Sequence, residues 1–82
     1  MKAGAVRALA EAHDVPTLEA AAEALAEREE NVLGVEGVDN GERLTHLMLA
    51  IRVRARADAG EALKDAFRAE MAGVREVMTN EG

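Results

Sequence analysis

Two histidines, His13 and His46, are the side chains in this 82-residue sequence best suited to move a proton near neutral pH or to hold a metal ion. Glu42 precedes His46 by four residues, so on a helix a carboxylate and an imidazole share one face. Glu-x-x-x-His could supply two ligands to a divalent cation, or a general base with its orienting acid. A stable metal site needs a third ligand, which here only a distant residue such as His13 or Asp39, or a partner chain, could provide. The preferred reading is plainer: an i,i+4 ion pair, or a hydrogen-bonded histidine at an interface, because so short a motif is weak evidence by itself. No cofactor and no metal are therefore expected, with Glu42 and His46 as the only candidates for either chemistry. His13 falls at the end of a helical stretch, where an imidazolium complements the C-terminal dipole. Thr45 is expected to bond back to the carbonyl four residues earlier, as helical threonines do.

Arg52, Arg54 and Arg56 form the one basic cluster, and on a helix Arg52 and Arg56 share a face while Arg54 points elsewhere. They could grip a phosphate. Pairing with Asp58 or with the carboxylates of the second helix is preferred, because acidic residues outnumber basic ones by sixteen to ten. Gly34, Gly37 and Gly41 have neither the spacing nor the following Lys-Ser/Thr of a phosphate loop, and read as a turn-rich connector.

Composition narrows the function classes further. Without cysteine there is no disulfide, thiolate site or nucleophilic thiol, and with Phe67 as the only aromatic side chain there is no platform for stacking bases. The formal charge of −6 argues against nucleic acid as a partner. All of the excess lies in residues 1–41, with three basic and nine acidic groups against seven of each in residues 42–82. Such a carboxylate-rich, lysine-poor surface fits either a halophilic source or a GC-rich genome. No apolar run approaches the roughly 20 residues of a membrane span, and Arg7 and Glu11 interrupt the first apolar stretch, so a cytoplasmic protein with no membrane partner is expected.

The elements that must position these groups read as one helical domain, with helices near residues 2–13, 17–30, 40–57 and 59–78 and a loop over 31–39. Val6, Leu9, Ala10 and His13 share a face of the first. Thr17 after Pro16 is the expected cap of the second, whose Leu18, Ala21, Ala22 and Leu25 oppose a ridge of Glu19, Glu23, Glu27 and Glu30. Asp39 with Glu42, and Asp58 with Glu61, read as caps of the third and fourth. The competing reading is α+β: Asn40-Gly41 is a hairpin signal, and Ile51 to Ala57 alternates with a period of two. Leu44, Leu47, Met48, Ile51 and Ala55 follow helical spacing and favour the all-α bundle of three to four helices.

Helix three carries a second apolar stripe, His46, Leu49, Ala50 and Val53, nearly opposite the first, so it is either central in its own bundle or exposes one face to a partner chain, the latter being preferred in so small a domain. Among 40 apolar residues 18 are alanine, so the core is thin, and a partner chain on this stripe would thicken it. Burying Leu49 and Val53 would contribute roughly 1.5–3 kcal/mol each. His46, Leu49 and Val53 are thus the expected interface of a homodimer. The function expected is that of a small acidic interaction or assembly module, more plausibly non-enzymatic, with self-association and an unidentified protein as its partners. The alternatives are a metal-binding or catalytic subunit built around Glu42 and His46, and a small α+β ligand-binding domain.

The segment Gly37-Val-Asp-Asn-Gly-Glu-Arg-Leu-Thr-His46, with Ala50-Ile51, Ala62-Leu-Lys-Asp-Ala-Phe-Arg68, Ala5-Val-Arg-Ala-Leu-Ala-Glu11 and Glu23-Ala-Leu-Ala-Glu27, resembles a family of short uncharacterised bacterial proteins. Gly-Glu-x-Leu-Thr-His is its most recognisable part, and the likeness spans nearly the whole chain. The resemblance implies an all-helical protein of unknown activity and offers no catalytic residue. Arg52-Val-Arg-Ala-Arg56 departs from it, where a more aromatic and aliphatic run is expected.

Overall fold

A computed structural model of the chain describes residues 1–80, with side chains through residue 74. It contains four helices, α1 (Ala3–Ala12), α2 (Val15–Arg28), α3 (Asn40–Asp58) and α4 (Leu63–Asn80), and no strand among the described residues. The α+β alternative is thereby excluded. Asn40 and Gly41 open α3, because Asp39 accepts the Glu42 N–H at 2.8 Å and caps the helix. Ile51 to Ala57 lies wholly inside α3, and its alternation comes from arginines that reach away from the helix to neighbours on different sides.

Two helix starts differ from the sequence expectation. Asp14, not Thr17, caps α2 by accepting the Thr17 N–H at 3.0 Å. Pro16 sits in the first turn, where N–H groups have no intrahelical acceptor and its missing donor costs nothing. Likewise Asp58 does not cap α4. It is the last residue of α3 and bonds Arg54 one turn back at 3.0 Å, while α4 begins only at Leu63. Between them Gly60, at φ +115°, closes α3: the Gly60 N–H returns to the Ala57 carbonyl and the Glu61 N–H to the Arg56 carbonyl, a Schellman pair.

Helix α3 is the hub. It packs on α2, α1 and α4, whereas α1 and α2, though consecutive, pack on α3 rather than on each other. The result is a slab of 34 × 31 × 17 Å. Val6, Leu9, Leu18, Leu25, Val35, Leu47, Val53 and Met71 fill its core, together with Ala10, Ala21, Ala22, Ala50 and Ala66. Leu44, Leu49, Ile51 and Phe67 pack around the edge half-buried. Glu19, Glu23 and Glu27 lie exposed on α2 as the helical projection puts them, whereas Glu30 falls beyond the helix end and pairs with Arg28 at 3.0 Å.

The connector over residues 31–39 is held by its own side chains. The Asn31 carboxamide donates to the Val35 carbonyl at 2.9 Å and accepts the Val35 N–H at 2.7 Å, folding the loop over a Gly34 at φ +62°. Before it, α2 ends on Glu29 in the left-handed region at φ 55°, an expensive conformation for a residue with a Cβ. Glu29→Gly should raise stability by about 0.5–1 kcal/mol, read as a higher urea midpoint with unchanged slope. An unchanged or lower midpoint would show that the left-handed turn stores no strain.

Candidate functional site

The residues singled out for chemistry converge at the N-terminal end of α3. Asp39 caps the helix, Glu42 occupies its first turn and His46 follows one turn later, fully buried. Both ring nitrogens of His46 are engaged by main chain. Nε2 lies 3.1 Å from the Lys2 N–H and Nδ1 lies 2.8 Å from the Glu36 carbonyl oxygen. An amide N–H can only donate and a carbonyl oxygen can only accept, so these partners fix the ring. It is the neutral Nδ1–H tautomer, with its Nε2 lone pair occupied.

Glu42 is equally committed. One oxygen accepts the Val38 N–H at 3.0 Å and the other pairs with the Met1 ammonium at 3.1 Å. The Val38 N–H, then the ammonium, hold its carboxyl below the ordinary glutamate range. Glu42 and His46 therefore share a helix face as expected, but each reaches two other segments: the chain before α1 and the loop before α3. Together they tie Met1 and Lys2, and Glu36 and Val38, to the start of α3. Thr45 donates to the Gly41 carbonyl at 3.0 Å, as expected of a helical threonine.

Close approach of the loop requires one glycine in particular. A Cβ on Gly37 would stand 2.7 Å from Arg43 Cγ and 3.1 Å from the Arg43 N, so nothing larger fits without moving α3 or the loop. The Gly-Glu-x-Leu-Thr-His segment thus works as a clamp between the ends of the first half of the chain. As a metal pair it lacks both a free imidazole lone pair and a third ligand, since no group of three or more His, Cys, Asp or Glu among the described residues could hold an ion.

Elsewhere the candidate residues are dispersed. His13 follows α1, its main-chain N–H rather than its ring bonding the Leu9 carbonyl at 3.1 Å, and its side chain borders a groove. The arginine cluster cross-links helices. Arg52 and Arg56 share a face as projected and both bond Glu70 of α4, Arg56 at 2.9 Å; Arg56 also bonds Glu61 at 2.6 Å. Arg54 points the other way, to Asp58 and to the Ala10 carbonyl of α1 at 3.2 Å. Partial burial pushes the Glu70 carboxyl up, but bonds from Arg52 and Arg56 outweigh it and leave Glu70 below its ordinary range. The expected Asp58 partner is found, while the α2 ridge is not used.

The expected interface set needs correction. His46 and Val53 are fully buried by the chain's own helices, and Leu49 is half-buried against the core. The second stripe of α3 is an internal face of a central helix. What sequence reading missed are partners with no side-chain signature: the Lys2 N–H, the Glu36 carbonyl and the Val35 main chain. Glu70, a side chain, was also missed as the acceptor shared by two arginines.

Two outcomes follow from this geometry. His46→Ala should cost about 2–4 kcal/mol, because it leaves a cavity and two unpaired main-chain groups, and long-range ¹⁵N–¹H spectra of the parent should show Nε2 as the unprotonated nitrogen. The opposite tautomer would contradict the clamp. Acid sensitivity has a definite sign as well. The donors on Glu42, Glu61 and Glu70 hold all three below the ordinary glutamate range, so their stabilisation is present above that range and is lost as pH falls through their folded values. Glu42→Gln should flatten the acid limb of a stability-versus-pH curve, and an unaltered limb would show that Glu42 does not contribute.

No curated protein and no solved structure matches the chain. A family model does, over residues 1–79, including the whole clamp and all three arginines. With its four helices and its Gly-Glu-x-Leu-Thr-His clamp, the chain belongs to DUF6952, a family of unknown function.

Proposed function

We propose that the chain is a small interaction module that associates with a second copy of itself through the open side of α3. The observation that carries this reading is Met48, 54% exposed in the middle of the central helix. Leu44 and Ile51, half-buried, and Ala55, exposed, continue the same side at helical spacing, so an apolar stripe runs along a side of α3 that is left open among the described residues. The rest of the molecule supports a binding role over a catalytic one. Its buried histidine and the carboxylate one turn earlier are saturated by main-chain and terminal partners, and its central arginines are paired within the chain.

The interface residues proposed are Leu44, Met48, Ile51 and Ala55 in place of His46, Leu49 and Val53. A charge at Val53 would lie inside the core and unfold the domain rather than separate two copies. Met48→Glu places a charge on an exposed position instead. Sedimentation velocity at tens of micromolar protein should show a dimer for the parent chain and a monomer for Met48→Glu, with the helical circular dichroism of the parent retained. A parent chain that stays monomeric throughout that range, or a variant that stays dimeric, would overturn the proposal.

A further inference from the structure

Because α1 and α2 diverge from their shared contact with α3, a trough opens on the side where the loop returns. One part, of about 440 Å³, lies between α1 and the loop, with Gly4, Ala5, Ala8 and Ala12 facing Leu33 and Val35. The other, of about 490 Å³, lies between α2 and the loop, with Ala20 and Ala24 facing Val32 and Leu33. Leu33 borders both, so the two parts adjoin. The walls are small residues at one-turn spacing, which leave holes for large side chains of another helix. His13 and Glu36 also line the first part and Thr17 and Arg28 the second; none of them is buried, and the Arg28 and Glu36 charges are met within the chain by Glu30 and Lys2.

Charge identifies the occupant. Every lining residue falls between positions 4 and 36, inside the half of the chain that holds three basic and nine acidic groups. Glu23 and Glu27 do not line the α2 part but follow its Ala20 and Ala24 by three residues, which makes them neighbours of those alanines on the helix surface. Both are exposed, and neither has an ion-pair partner among the described residues. We infer that this trough receives a cationic amphipathic helix of a partner protein, its large apolar side chains entering the alanine-lined holes and its lysines or arginines meeting the α2 ridge. The inference rests on the reading of the chain as an interaction module, but uses a different surface from the self-association stripe.

The probe is a synthetic 18-residue Leu/Lys peptide with leucines at i, i+3, i+4 and i+7, titrated calorimetrically beside the same composition with leucines spread around the helix. The amphipathic peptide should bind at least tenfold more tightly. Ala8→Gln with Ala20→Gln fills the holes at exposed positions without changing charge and should weaken binding at least tenfold, while Glu23→Gln with Glu27→Gln should weaken it about threefold or more. Equal binding of the two peptides, or full affinity in the filled variant, would overturn the inference. So would loss of self-association in the filled variant, which would assign the trough to a second copy. Met48→Glu should bind the peptide as the parent does, which separates failure of this inference from failure of the α3 interface.

Discussion

The domain depends on a single helix being buried from three directions. Helix α3 supplies the surface on which α1, α2 and α4 are laid, and two of those three barely know each other. Those neighbours bury the stripe of His46, Ala50 and Val53 together with Leu47, while the side that carries Met48 stays open among the described residues. The helix must also resolve whatever polar groups it brings inside. His46 is the buried polar residue of the core, and it is tolerable because a donor and an acceptor of the main chain meet its two nitrogens. The small core follows the same logic: alanines let four helices approach one another where larger side chains would force them apart.

Polar connections complete what apolar area alone leaves loose. The arginines after Ile51 run outward from α3 to α4 on one side and α1 on the other, and each ends on an acceptor from its neighbour. Glu70 accepts two of them while only 10% of its side chain is exposed, a setting in which charge-assisted bonds are less screened than at the open surface. The acidic ridge of α2, by contrast, is left to solvent. Charge in this protein therefore has two separate jobs, joining helices in the second half and setting the character of the surface in the first.

Much of this could be read from residue order, and the exceptions have a common physical cause. Helical spacing at Leu44, Leu47 and Ile51 outweighed the alternation of the arginines, the cap at Asp39 was visible with its Glu42, and the Thr45 hydroxyl bonded where expected. Boundaries failed at Pro16 and at Asp58. A first-turn proline and a last-turn aspartate each have two lawful positions, and tertiary neighbours choose between them. The function of His46 was hidden for a different reason: its partners are an amide 44 residues away and a carbonyl ten residues away, neither of which has a side-chain identity. The second stripe left two covers open, the chain's own helices or a partner, and a preference for the partner gave way because α1, α2 and α4 together surround it.

The bond from Arg54 to the Ala10 carbonyl has a consequence for the order of assembly. Helix α1 is ten residues long, begins without a side-chain cap and has no basic residue in its last turn, so in isolation it is too short and too poorly terminated to persist. The cation that complements its negative end arrives from the middle of α3, 44 residues later. During synthesis α1 must remain unsettled until α3 has been made. The end of α1 is thus completed by a residue far along the chain and not by its own sequence.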